Sequence, residues 1–392
     1  MGSIFYNGVK PLNIKPYYSA NDIIDFTIKL RPGRALKAGS LRVSGWLNIQ
    51  KIAPNSFQAL PVVPEDCVFL SPYSGVHSFF RNSTCSVNDR TLESNTMYPR
   101  WASMVKQSKY TLEGLNTSSA ALTELCGSQN NVLLMGSEIA PNTITLPNVP
   151  SGTDVYSIPF SFKPELALNK CSGDLGQSAF PQMKVLFNLA SSIEALYSTA
   201  GETYISANIG SLQYSFLDVQ LQWYETIERP MKMPITFQTA FLITQTLVSS
   251  NASFAVNSPT VYDAVSISFI KQSHRNKIGF DNYGCEYVPG IENIGSRVEA
   301  TVSGSDQPIR FPILTYSELA LNYARSLGAD VKNSLMNVYS SQNGCWGIGY
   351  KFQTGINDRL AVNVILNGLL SYQQPSSAPS DAFIFVSGFV SI

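Results

Sequence analysis

Two histidines, six cysteines and a scatter of carboxylates are the groups in this 392-residue chain that could carry out chemistry. One histidine is enough for a nucleophile–histidine–acid triad. His77 and His274 have no Gly-x-Ser-x-Gly turn to work with. His77 reads as a packed or capping residue, and His274, in a polar stretch after Lys271, as a solvated one. Cys67, Cys85, Cys126, Cys171, Cys285 and Cys345 contain no Cys-x-x-Cys pair, and there is no His-Glu-x-x-His, which argues against zinc. An even cysteine count permits disulfides, but six in a chain this long are not a disulfide scaffold. The expectation is mostly free, partly buried thiols in a protein that folds in a reducing compartment. Asp22, Asp25, Glu93, Asp154 and Asp218 could pair for glycoside hydrolysis, which needs two carboxyls facing across a cleft. Strand ends and turns explain each of them with fewer assumptions. Gly344, Gly347 and Gly349 follow no strand-to-helix pattern, so they do not read as a phosphate loop. The sequence therefore predicts no enzyme: no catalytic residue, no cofactor and no metal.

The elements that would position these groups are mostly strands. Residues 22–30 place Ile24, Phe26 and Ile28 on one face, and 41–49 do the same with Leu41, Val43, Leu47 and Ile49. Residues 154–162 are aromatic-rich, and Pro159 confines them to an edge or a bulge. Residues 183–189 align Met183, Val185, Phe187 and Leu189. Along 212–224 the phase flips from Leu212, Tyr214 and Phe216 to Val219, Leu221 and Trp223. That flip predicts a bulge near Leu217 and Asp218. Residues 225–234 are charged, hold two prolines and read as a linker. Strands then restart at 237–248, with 253–256 pairing behind it, and continue at 262–270, 346–352, 360–366 and 382–390. Residues 315–327 read as a helix, capped by Thr315 or Ser317 and ended by Gly328. Residues 66–70 and 204–209 are weaker strand candidates, and 333–341 are ambiguous. The stretch 115–150, rich in Ser, Thr, Asn and Pro, predicts an extended, projecting loop.

Composition agrees with an all-β protein. The chain holds 19 Tyr and 21 Phe, residue types that favour strands. Charged residues are 14%, well under the usual ~25%, so its surfaces suit close packing against neighbours. A net charge of zero argues against direct coating of phosphate. Lys29, Arg31, Arg34 and Lys37 do cluster, either as a solvated loop or as a patch facing nucleic acid or lipid. The amino end shows no signal-peptide pattern, and Tyr6 fails the myristoylation pattern. No run approaches the ~18 apolar residues of a membrane helix.

The most informative segment is 73–110. It reads as a helical turn, a strand at 83–87 with Cys85 and Val87 on one face, a turn from Asn88, and a helix begun by Pro99. Trp101, Met104 and Val105 form one stripe of that helix. The pattern His77-Ser78-Phe79-Phe80, Asn88-Asp89, Tyr98-Pro99-Arg100 resembles the first half of the double jelly-roll major capsid proteins of tectivirus-like phages, virophages, polinton-like viruses and adenoviruses. Phe79 stands where that group more often has Leu. The likeness of motif covers about forty residues and is one of architecture elsewhere.

The resemblance implies two eight-stranded jelly-roll β-sandwiches side by side, each with a short helix insertion. Residues 1–228, with a long loop at about 111–150, would form the first, and 229–392 the second. It implies a capsid subunit located in the virion and assembled inside the host cell. Its pseudo-hexagonal homotrimers would tile an icosahedral shell. Its partners would be its own copies, minor capsid and vertex proteins, and an inner membrane or genome beneath the shell. No small-molecule substrate is expected, and the amino end before Asp22 would clamp beneath the shell. The alternatives are a single-roll minor capsid protein, a carbohydrate-binding jelly roll, and an amide-cleaving glycan-processing double jelly roll.

Overall fold

The computed structural model describes residues 4–51, 69–110, 112–127, 154–197, 212–230, 234–247, 252–256, 261–277, 280–284, 297–302, 309–312, 316–328, 347–356, 362–367 and 380–392. The principal strands of the first part are β1 (Phe5–Val9), β2 (Ile23–Ile28), β3 (Arg42–Lys51), β4 (Phe80–Val87), β5 (Arg90–Asn95), β6 (Asp154–Phe162), β7 (Met183–Leu189) and β8 (Leu212–Ile227). Those of the second are β9 (Thr236–Leu247), β10 (Ala252–Val256), β11 (Val261–Lys271), β12 (Arg297–Val302), β13 (Ile309–Pro312), β14 (Ile348–Ile356), β15 (Val362–Asn367) and β16 (Ser380–Ser391). The first set pairs in two antiparallel sheets, β1-β8-β3-β6 and β2-β7-β4-β5. The second set pairs as β9-β16-β11-β14 and β10-β15-β12-β13. Adding eight to every strand of the first pair of sheets gives the second pair. Each half is a jelly roll. Helix α1 (Tyr98–Lys109) follows β5, and helix α2 (Tyr316–Ser326) follows β13, so the duplication extends to the helices.

Local sequence explains most of these strands. β7 alternates buried and half-buried residues without a break, as its spacing predicts. β4 and β5 join through Asn88 and Asp89, both at positive φ (47° and 61°). Asn and Asp tolerate that conformation, and its twist suits a two-residue hairpin. β8 is one strand whose register against β3 shifts between Leu217 and Gln220, with Asp218 at φ 49°. This is the predicted bulge. It lets Phe216 and Leu221 both face the core of the first sandwich. That core is aromatic: Phe80 lies 4.9 Å from Phe162 and 5.3 Å from Phe216, and Phe79 lies 4.5 Å from Tyr214. Such pairs are worth about 0.5–1.5 kcal/mol each beyond the area they bury. Gly328 ends α2 at φ 74°.

Several expectations need correction. Strand β5 has no apolar alternation and went unread. It forms because the hairpin turn aims it back along β4. Residues 225–227 belong to β8 rather than to a linker, and Glu225 is fully buried. β10 pairs with β15 in the opposite sheet, not behind β9. The amino end is tied to its own sandwich: β1 hydrogen-bonds along β8, and Leu12 N donates to Asp25 O on the edge strand β2. The predicted loop begins instead with two helical turns, Leu112–Asn116 and Ser119–Thr123, whose Leu115 and Ala120 are buried. The rest of that stretch, the candidates 204–209 and 333–341, and Thr315 lie outside the described residues.

β16 lies between β9 and β11 and pairs with both along its length. Deleting 380–392 should therefore abolish folding of the second sandwich. Circular dichroism and limited proteolysis of the truncated chain check this, with loss of protease resistance in 234–367 as the expected result.

Candidate functional site at the seam of the two sandwiches

Helix α1 is where both halves converge. Pro99 sits in its first turn, where a missing N–H costs nothing. A single apolar stripe was expected, yet every residue from 98 to 108 is buried. Burying its charged groups costs least when they find partners. Arg100 reaches across to the second sandwich. Its Nη1 donates to Ser268 Oγ and Gly284 O, both at 2.8 Å, and its Nη2 donates to Asn282 O. The guanidinium stands 4.3 Å from the centre of the Phe383 ring. Beside it Trp101 packs on Phe385 with ring centroids 5.2 Å apart, and the Lys170 ammonium lies 4.9 Å from the Trp101 ring. Ser71 Oγ donates to Asp281 Oδ2 at 2.8 Å, and Asn282 Nδ2 donates to Ile193 O at 3.2 Å.

The register explains which face of the second sandwich is used. Ser266 pairs with Phe385 and Ser268 with Phe383, so these four share the outward face of sheet β9-β16-β11-β14. Helix α2 covers the same face, with Ser326 Oγ 2.7 Å from Ser266 Oγ. Gly347 and Gly349 permit this approach. A Cβ on Gly347 would collide with Ile267 O, and one on Gly349 with the Ser326 side chain. Gly347 and Gly349 are thus a packing device.

The other side of α1 carries a buried ionisable chain. Glu165 N donates to Tyr98 Oη at 3.2 Å, and Tyr98 Oη lies 2.7 Å from His77 Nδ1. His77 Nε2 lies 3.4 Å from Glu124 Oε2, and Lys106 Nζ donates to that same oxygen. With Tyr98 donating to Nδ1, the imidazole keeps its proton on Nε2 for Glu124. Burial disfavours the imidazolium and pushes His77 below its ordinary value. Burial alone would raise Glu124, but the His77 hydrogen bond and the Lys106 charge hold it well below the carboxylate range. Burial likewise opposes the Glu165 charge, yet Lys170 and Lys109 bring it down to about 2. The backbone closes over this chain. Val76 N donates to Glu124 O, and Gly127 N donates to Pro72 O. Gly75, at φ 51°, is needed here because a Cβ would strike Glu124 O and Cys126 Sγ.

The other chemistry-bearing residues are not brought together. Asp22 pairs with Lys15 at 2.6 Å, beside edge strand β2. Asp25 lies on β2, and Glu93 lies on β5 at the opposite edge of that sheet. Asp218 occupies the bulge in the other sheet, and Asp154 begins β6. His274 stacks on Phe280 at 3.6 Å and is only half-exposed. The basic cluster is divided: Arg31 pairs with the buried Glu225 at 2.7 Å, and Arg34 lies over the Phe5 ring. Cys85 and Cys126 are buried free thiols, and Cys171 is a half-buried one. Burial raises all three thiols, Cys126 to about 12, so they are poor nucleophiles. Among the described residues no cluster could hold a metal ion. Arg100, Glu124 and Lys106 were not singled out for the roles they have. The position of Arg100 in a buried helix face was the available signal.

The fold class is thereby a double jelly roll, two β-sandwiches of one strand order joined in one chain. Solved structures share it over essentially the whole of this chain. The Faustovirus major capsid protein is similar at a TM-score of 0.59 and 10% identity, covering 100% of this chain and 91% of that one. A chain of the Sputnik virophage structure is similar at 0.54 and 12%, covering 100% and 87%. The mavirus major capsid protein is similar at 0.51 and 11%, covering 99% and 90%. No protein-family model matches the sequence. No curated protein matches it either.

Three outcomes follow from the seam. Arg100→Ala strands the Asn282 and Gly284 carbonyls and should cost about 1–3 kcal/mol for each. Calorimetry should then resolve two unfolding transitions where the parent shows coupled ones. His77 and Glu124 both have depressed folded values, so their stabilisation is present above the ordinary values of 6.5 and 4.5 and is lost as pH falls below them. Thermal melts of the parent and of His77→Gln from pH 7 to pH 4 should show the parent losing Tm relative to the variant as pH falls below about 6.5. Gly75→Ala should cost on the order of 3 kcal/mol in denaturant titrations, from backbone strain and collision together.

Proposed function

We propose that this chain is a viral major capsid protein whose homotrimers tile an icosahedral shell. The observation that carries the reading is the full-length duplication of one jelly roll, side by side, in the arrangement shared with the Faustovirus and mavirus major capsid proteins. Three chains with two similar sandwiches each approximate a sixfold block, and such blocks can cover a flat facet. On this reading the boundary between the sandwiches is 228/229, after β8 and before β9.

The surface supports a covering by sister copies. Leu12, Ile14 and Ile23 stand 59%, 79% and 46% exposed along the outer edge of the β2 sheet. On the adjoining sheet Tyr6 and Tyr224 face outward, 60% and 43% exposed, with ring centroids 5.7 Å apart. An apolar flank of this kind is a common mark of a protein contact. The role is structural rather than enzymatic, since His77, Tyr98 and Glu124 are spent on one another beneath the surface. Minor capsid and vertex proteins would be further partners, and the place of work is the virion.

Sedimentation of the purified full-length protein should give a species of three times the chain mass, and negative-stain microscopy should show hexagonal outlines or shells. Tyr224→Asp combined with Ile23→Asp should yield folded monomer. A stable monomer of the parent at micromolar concentration, or specific glycan binding on an array, would overturn the capsid reading.

A further inference from the structure

We propose that the contact between the two sandwiches is a pH-responsive seam whose sensor is the Glu93 carboxyl, closed while the carboxyl holds its proton and loosened when the proton leaves. The inference does not depend on the capsid reading, because it concerns the chain's own two halves.

The geometry starts with Glu93 in the middle of β5, 2% exposed and opposite Cys85 of β4. Its Oε2 accepts from Ala167 N at 2.8 Å. Its Oε1 is buried without a hydrogen-bond partner. Ala167 opens the short helical turn Ala167–Asn169, which is pinned by Asn169 Nδ2 donating to Leu41 O (3.1 Å) and Pro164 O (2.8 Å). The residues just beyond that turn form the backbone join to the second sandwich. Ser172 N donates to Thr236 O at 2.9 Å, Gln238 N donates to Lys170 O at 3.0 Å, and Cys171 bridges Phe237. Strand β9 packs on both β5 and this turn. The Glu93 carboxyl therefore holds the start of the turn 167–169, which leads directly into the strip 170–172 that joins the second sandwich.

The charged and titratable groups around it decide the response. From β4 comes the neutral Cys85 thiol, and from α1 the Tyr98 hydroxyl, held neutral by burial. From the segment after β6 come Glu165 and Lys170, paired with each other at 3.0 Å, with Lys109 and Lys106 of α1 acting on Glu165. Because Lys170 is engaged by Glu165, its charge compensates Glu93 only in part. Burial raises Glu93 from 4.5 to about 7, with Lys170 and the Ala167 N–H opposing and Glu165 assisting. A group raised in the folded state gives stability that is complete below its unfolded value and lost as pH rises through its folded value. Here that window is pH 4.5 to 7, opposite in sign to His77 and Glu124. An ionised carboxylate at this place must draw in water or move, and the strip at 170–172 moves with it.

Glu93→Gln keeps an acceptor for Ala167 N and removes the proton equilibrium. The measurement compares full-length parent and Glu93→Gln in denaturant melts from pH 4.5 to pH 8.5. The parent's unfolding constant, divided by that of the variant, should rise up to about tenfold per pH unit between 4.5 and 7 and stay flat above. Hydrogen exchange should show the Ser172 and Gln238 amides losing protection in the parent above pH 7, beyond the intrinsic rise with pH, and not in the variant. Infrared titration of the parent supplies a check that needs no variant, through loss of a buried protonated-carboxyl band with a midpoint near pH 7. Parallel pH profiles for the two proteins, or no such band, would overturn the proposal. So would loss of protection spread evenly over both sandwiches.

Discussion

A guanidinium held away from water must find acceptors, and Arg100 finds three of them on the other sandwich. Desolvating a charge costs several kcal/mol, and the cost is offset only when every acceptor is in place with good geometry. That requirement ties the turn at 282–284 to the first turn of α1 and orients the two halves. The apolar contact of Trp101 with Phe385 adds area, yet apolar surfaces tolerate sliding. The directional bonds to Asn282 and Gly284 do not, so they set the relative placement.

The same logic governs the opposite side of α1. His77, Tyr98, Glu124 and Lys106 are the residue types of an active site, but here each meets the others below the surface. Neutral His77 has no access to a substrate. Burial converts catalytic residue types into structural ones, and it leaves them sensitive to pH in opposite directions. His77 and Glu124 resist acid poorly, whereas Glu93 is most comfortable protonated. A seam built from both kinds of group is most secure within a band of pH.

The two halves share a strand order without visible residue identity, and identity to the similar solved structures is 10–12%. A jelly roll asks for alternation, turn residues and a filled core, and many sequences meet those demands. The positions under tighter constraint are those of close approach. Gly75 against Glu124, Gly347 against Ile267 and Gly349 against Ser326 each sit where a helix or turn presses on a neighbouring backbone or side chain.

Much of the fold was legible from residue order alone. Alternation located β7, the phase flip located the bulge at Asp218, and Asn88-Asp89 located a turn. Gly328 marked the end of α2, and the motif from His77 to Arg100 pointed to the architecture. These signals are local because a strand or turn records in its own few residues which face meets the core. The strand β5, the burial of Glu225 inside β8, the all-round burial of α1 and the docking of 112–127 left no such record. Arg100 and Asn282 are 182 residues apart, and Glu93 reads as an ordinary polar strand residue until its partners close over it. The sequence by itself thus determined most of the strands and turns, through periodicity and backbone preference, and pointed to the twin-roll class through the resemblance carried by residues 77–100. Only the tertiary structure decided which polar groups are buried and whom they meet, because desolvation is a property of the assembled neighbours and not of neighbours along the chain.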